Sequence, residues 1–148
     1  KIINPHIAHI GVGIAIIGIT CSSVFQNELD FNLNEGDEFR VNGKTVLFEE
    51  VETTNQINFQ ALRGKFLFDT EKKQSKKIEA GKNYYPVSKM ITSEAGILNQ
   101  WNKDIYFILG DQKNNEWFVK VLINPFVSFI WLGVIIMMYS GLMAVSRR

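Results

Sequence analysis

The chain has 148 residues, 46% of them hydrophobic, with 16 basic against 15 acidic side chains and a formal net charge of +1. Balanced signs exclude an ordinary nucleic-acid binder, because phosphate recognition needs a concentrated basic face. A single cysteine, Cys21, excludes an internal disulfide framework, so the fold must rest on a hydrophobic core.

The apolar residues gather at the two ends, and the first of these runs is predicted as a transmembrane helix. From Ile7 to Phe25 nothing is charged, and at about 1.5 Å per residue such a run spans a hydrocarbon core of about 30 Å. Asn4 can cap the first free amides, and Pro5 suits the first helical position because its missing N–H breaks no bond. His6 and His9 then lie three residues apart on one face. An imidazole is expensive to bury in lipid and usually faces a partner helix, a polar cavity or a metal. Two uses stay open at this level: a metal ligand, or a packed His9 that hydrogen-bonds a neighbouring helix while His6 sits among headgroups. Cys21 imitates the acylated cysteine of a lipoprotein signal, but Thr20 is too large for that cleavage site, so the thiol reads as part of a helix interface. The chain does not open with methionine, which suggests a fragment or a processed chain whose site has its other half elsewhere.

The middle of the chain alternates at strand period. Phe31-Leu33, Phe39-Val41 and Thr45-Phe48 are predicted strands, separated by turn signals at Asn34-Glu35-Gly36-Asp37 and Asn42-Gly43. Ile57-Leu62 and Lys65-Phe68 alternate in the same way, with Gly64 placed for a bulge between them. The lysines between Lys72 and Lys77 read as a solvated hairpin tip, with contact to anionic headgroups as the minor alternative. Tyr84-Tyr85-Pro86 is extended, since Pro86 disfavours helix at Tyr85, and is placed at a sheet edge. Thr92-Ser93-Glu94-Ala95 resembles a helix start, and a turn or two of helix is expected near Ser93 to Asn99. Ile105-Leu109 and Trp117-Ile123 complete the strands around Gly110 to Asn115. The number and spacing of the strands argue for a small barrel or sandwich. Tyr84, Tyr85 and Trp101 have two possible uses, core packing or a shelf for a flat ligand or partner peptide turned toward the membrane. This region has no histidine or cysteine and no serine in a nucleophile-elbow setting, which argues against acyl transfer and a zinc site.

The second apolar run, Phe126 to Val145, is again free of charge and is followed by Arg147-Arg148. Lys1 and these arginines flank the outer ends of the two spans, so the positive-inside rule puts both termini in the cytoplasm and exports what lies between. The expected fold class is therefore membrane α plus β: residues 1–25 a first transmembrane helix, 26–125 an exported all-β barrel or sandwich, and 126–148 a second transmembrane helix with a short tail. Gly133 and Gly141 would allow close packing on Gly11 or Gly18.

Taken in order, Ala8-His9-Ile10-Gly11, Leu62-Arg63-Gly64, Tyr84-Tyr85-Pro86-Val87, Thr92-Ser93-Glu94-Ala95, Asp104-Ile105-Tyr106 with Leu109-Gly110, and Asn124-Pro125 with Ile130-Trp131-Leu132-Gly133 resemble the C-terminal part of the CcmF family. These are haem lyase subunits of the bacterial and plant-mitochondrial cytochrome c maturation system. The resemblance implies an integral protein of the bacterial or mitochondrial inner membrane. Its implied partners are the rest of the haem lyase chain, the haem chaperone CcmE, the thiol-reducing subunit CcmH and apocytochrome c. It also implies a haem b held by histidines in the membrane. His9 matches the family's transmembrane histidine and takes from it the role of axial ligand to the haem iron; imidazole is a common ligand of this kind. Gly11 and Gly13 would leave room for the porphyrin, and His6 matches no family position. The family's tryptophan-rich WWD motif, its exported histidines and its second transmembrane ligand are absent, so the chain by itself is not expected to be catalytic. Cys21 lies 12 residues beyond His9, roughly 18 Å along a helix, and cannot bind the same iron. Met137 and Met138 could offer sulfur but usually pack. The competing expectation is a non-catalytic membrane-anchored β-domain used for envelope assembly or protein interaction.

Overall fold

The computed structural model describes residues 3–70 and 75–146, apart from the side chains of residues 3 and 4. Lys1 and Arg147-Arg148, on which the expected orientation leans, lie outside the described residues, as do Lys72 and Lys73 of the lysine run.

The two apolar runs form helices α1 (Ile3–Val24) and α2 (Val127–Ser146). Helix α1 starts at Ile3, ahead of the cap expected at Asn4, whose side chain is among those not described; Pro5 falls in the first turn, where its missing N–H breaks no intrahelical bond. The helices pack antiparallel through backbone rather than side chains. A Cβ added to Gly11 would stand 2.8 Å from the Gly133 carbonyl oxygen, and one added to Gly133 would stand 2.5 Å from that of Gly11. Further along, a Cβ on Gly18 would stand 2.7 Å from the Ile130 nitrogen. Small residues are needed at such crossings because lipid tails are as apolar as leucine, leaving close van der Waals contact as the main attraction between helices. Gly141, expected to share this role, has nothing within 4 Å of an added Cβ. Away from the contact stripe the helices expose Ile16, Ile17, Trp131, Leu142 and similar side chains. Helices apolar all round are suited to lipid.

Among the described residues nine strands follow one another between the helices: β1 (Asn27–Leu33), β2 (Glu38–Val41), β3 (Lys44–Asn55), β4 (Gln60–Phe68), β5 (Lys76–Tyr85), β6 (Met90–Glu94), β7 (Gly96–Asn99), β8 (Lys103–Lys113) and β9 (Glu116–Pro125). They form two sheets, β1-β9-β8-β7 and β2-β3-β4-β5-β6. Phe39, Phe48 and Phe66 of the five-stranded sheet are buried, as are Ile105, Phe107, Leu109, Val119 and Val121 of the other. Phe66 stacks on Phe48 with centroids 5.0 Å apart and reaches across to Phe107 at 5.3 Å. The architecture is therefore a sandwich rather than a barrel, with separate sheets and open edges. By its contacts the chain falls into two compact units. One holds both helices with Asn99–Asp104 and the end of β9; the other holds Glu28–Leu98 and Ile105–Leu122.

Several local expectations meet the structure directly. The hairpin at Asn42-Gly43 forms between β2 and β3, both residues having positive φ, 52° and 76°, as a type I′ turn requires. The bulge is on β3, not at Gly64. Phe48 pairs with Phe66 but Glu50 with Lys65, so Glu49 is the extra residue. That insertion reverses the parity of β3, leaving Val46 and Phe48 in the core while turning Glu50 and Glu52 to the other face. Gly64 runs straight through β4, where a Cβ would press at 3.3 Å on Leu109 and 3.4 Å on Phe48. Ile57 and Asn58, expected in a strand, form a turn with Ile57 fully exposed.

The helix expected near Ser93 to Asn99 is absent, because the segment divides into β6 and β7, which join different sheets. Gly96 allows the crossing: a Cβ there would come 2.6 Å from the Glu79 carbonyl oxygen, closer than a side-chain-bearing residue tolerates. Tyr84 and Tyr85 are not at an edge either, since β5 pairs with both β4 and β6, and β6 is the edge strand.

Candidate functional site

His9 lies in the second turn of α1 on its exposed side. Its Nδ1–H donates to the Pro5 carbonyl oxygen at 2.5 Å. A carbonyl can only accept, so Nδ1 carries a proton in this bond, and in the neutral ring Nε2 is the nitrogen that offers a lone pair. Metal-binding histidines are commonly oriented in this way, with the second ring nitrogen donating to a carbonyl or carboxylate. His9 therefore does not need a neighbouring helix to satisfy its N–H, as the packed-histidine reading supposed.

The two glycines beside it differ. Gly11 is taken up by the helix crossing, where an added Cβ would also come 2.8 Å from the Met137 side chain, so it leaves no room for a ligand. Gly13 has nothing within 4 Å of an added Cβ, and being four residues from His9 it opens the helix surface on the same face. His6 is also exposed on α1. Met137 packs at Gly11, whereas Met138 is 62% exposed; Cys21 is a free, half-buried thiol. Among the described residues no group of three or more His, Cys, Asp or Glu side chains could enclose a metal ion.

The aromatics singled out in the middle region separate. Tyr85 packs on Phe59 with centroids 5.3 Å apart, and Tyr84 is partly exposed. Trp101 is 91% exposed and groups with the helices, so it is not part of the sandwich core.

Two features went unread in the sequence. Arg63 stands opposite Gly81, whose missing side chain clears space for the guanidinium; Arg63 Nη2 lies 2.8 Å from Glu94, and Asn83 Nδ2 donates to Glu94 at 2.6 Å. The residues Leu62-Arg63-Gly64 are thus explained as structure, an ionic tie between strands followed by clearance for the core. Their sequence signal was a glycine on each strand beside one arginine, which is visible only once the register is known. Asp104 is buried at 7% exposure, and burial pushes its carboxyl pKa up. Lys65 donates to Glu50 and Glu52, and its hydrogen bonds to them, first to Glu52, raise its pKa, while its hydrogen bond and charge lower that of Glu52. These pairs are solvated and form no catalytic constellation.

A family described as CcmF C-terminal beta-sandwich matches residues 24–125. The chain is 29% identical over 143 residues to the cytochrome c-type biogenesis protein CcmF of Pseudomonas aeruginosa, covering 96% of this chain and 22% of the relative. It is 32% identical over 142 residues to the cytochrome c-type biogenesis protein ccl1 of Rhodobacter capsulatus, covering 95% and 22%. A solved structure named Cytochrome c Heme Lyase CcmF has the same fold, with a TM-score of 0.76 over 95% of this chain and 24% of the other at 14% identity. The chain thus spans about a fifth of the length of these relatives. Two apolar helices of membrane-spanning length frame the matched sandwich, as a membrane protein requires. On the match over 24–125, the chain belongs to the CcmF C-terminal beta-sandwich family.

Proposed function

We propose that this chain is the C-terminal portion of a haem lyase subunit in cytochrome c maturation, in which His9 gives one axial ligand to a haem b and the sandwich is an exported scaffold for attaching haem to apocytochrome c. The observation that carries the site is the Nδ1–H···O=C bond from His9 to Pro5, which occupies Nδ1 and leaves Nε2 as the ring nitrogen available to a ligand on an uncharged helix face. Gly13 next to it fits a flat macrocycle, because nothing rises from the helix there. Haem b bound at this nitrogen would supply one-electron transfer within the low-dielectric layer. The chain's own contribution is to orient the imidazole, whose neutral form costs less than a carboxylate in lipid. The second ligand comes from a part of the assembled complex outside these residues. CcmE, CcmH and apocytochrome c are the partners that this reading assigns to the assembled complex.

The orientation proposed is that of both termini in the cytoplasm or matrix and the sandwich on the opposite side of the inner membrane, His9 lying in the inner half of the bilayer. An impermeant thiol reagent added outside intact cells should label Lys76→Cys, an exposed position at the start of β5. Labelling only after membrane disruption would reverse the orientation. For the site, His9→Ala in the full-length protein should remove or shift the reduced haem b absorption while the protein still inserts and folds. Unchanged haem content and spectrum would sink the assignment.

A further inference from the structure

The helix unit has a second feature that the His9 reading does not use. An open groove of about 610 Å³ runs down the outer side of α2 from the Asn99–Asp104 segment. Its deeper end is lined by Leu132 and Ile135, its middle by Phe129 and Trp131, and its upper end by Trp101, Asn102 and Ser128. The segment carrying Trp101 is held against the start of α2 by a backbone bond from the Phe126 N–H to the Asn102 carbonyl at 2.9 Å. Trp101 is thus fixed at the helix end that β9 enters, although it is 91% exposed. An indole so uncovered is disfavoured in water and favoured at a bilayer interface, where its ring is apolar and its N–H meets the headgroup region.

We infer that this groove seats a phospholipid of the leaflet on the β-sandwich side, its acyl chain on Phe129, Leu132 and Ile135 and its ester region at Trp101, Asn102 and Ser128. The choice of occupant rests on three observations. The groove is continuous with the exposed apolar face of α2, which is the membrane surface of this protein. Its polarity runs in one direction, from hydroxyl and amide at the helix end to purely aliphatic seven residues deeper, roughly 10 Å along the axis and about two-thirds of one leaflet's hydrocarbon depth. None of the lining side chains carries a formal charge, so a carboxylate-bearing or cationic occupant would find no counterion there.

The inference does not depend on His9, and its test reads lipid rather than haem. A photoreactive benzoylphenylalanine replaces Leu132 in the full-length protein in native membranes, with the same replacement at Leu142, an exposed apolar position of α2 outside the groove, as control. After irradiation, mass spectrometry should find phospholipid adducts at position 132 in several-fold higher yield than at 142. Trp101→Ser, an exposed substitution that leaves the core untouched, should lower the yield at 132 several-fold and leave that at 142 unchanged. A crosslink from 132 into another segment of the polypeptide, or to haem, would overturn the inference by showing a different occupant. Equal lipid yields at the two positions, insensitive to Trp101→Ser, would overturn it by showing bulk lipid only.

Discussion

The helix pair and the sandwich solve the packing problem in opposite ways. Where α1 and α2 meet, Gly11, Gly18 and Gly133 bring backbones together by having no side chains, and the large residues face outward. In the sandwich Phe48, Phe66 and Phe107 fill the interior, while Glu50, Glu52, Lys65, Lys120 and Asp30 face water. The difference follows from the solvent. In water, apolar area removed from solvent is the main driving force, so the largest side chains go inside. In lipid that force is absent between helices, and only close contact remains.

The strongest way to break this comparison is Phe66→Ala. Phe66 is fully buried between the sheets, and its truncation should cost about 3–5 kcal/mol, a large share of a small domain's stability. Protease resistance and thermal melting of the sandwich should collapse while both helices remain inserted. An unaltered melt would show that the sandwich core is not where the stability resides.

Gly133→Leu should do to the helix pair what Phe66→Ala does to the sandwich, but by adding atoms. A Cβ alone would stand 2.5 Å from the Gly11 carbonyl oxygen. Crosslinking of α1 to α2 across the crossing should fall several-fold in this variant and stay unchanged in Gly141→Leu, where an added Cβ meets nothing. Equal effects at both positions would end the claim of a glycine-defined crossing.

A smaller, pH-dependent effect is expected at Asp104, whose carboxyl pKa is raised by burial. Between its ordinary and its raised pKa the folded state holds a proton that the unfolded state has lost, so stability falls as pH rises through that window. Asp104→Asn should therefore raise the melting temperature at neutral pH and lose that advantage below the ordinary carboxylate range. A pH-independent difference would assign the effect to packing instead of ionisation.

The smallest effect belongs to Lys65→Met. Its partners Glu50 and Glu52 are half-exposed, and solvated ion pairs of this kind contribute little. Because Glu52 has a lowered pKa, its contribution is present above the ordinary glutamate pKa and disappears as pH falls through the lowered value. The melting difference between wild type and variant should be small at neutral pH and vanish in acid.

The His9 site shows how far composition and spacing reach. The helix, its lack of charge and the histidine's place near its start were legible because a membrane span depends on length and hydropathy, which are local. The tautomer was not, since it depends on which oxygen the ring meets, nor was the division of labour between Gly11 and Gly13, since that depends on where α2 lies. In the sandwich the alternation of Val46, Phe48, Phe66 and Phe68 was legible, as was the Asn42-Gly43 hairpin. The bulge lies at Glu49 and not at Gly64, whose missing side chain serves close packing instead. The better signal was the pair Glu49-Glu50, two consecutive charges that strict alternation cannot accommodate with Val46 and Phe48 inside.

The sequence by itself determined the two membrane helices and a β-rich region between them, because hydropathy and period are properties of neighbouring residues. Only the tertiary structure decided that Ser93-Glu94 continues a strand instead of starting a helix, since β6 gains its bonds from β5 and those partners are remote in sequence. It likewise decided that Trp101 joins the helices and not the sandwich core, because a tryptophan's place depends on which surface the backbone of Asn102 is tied to.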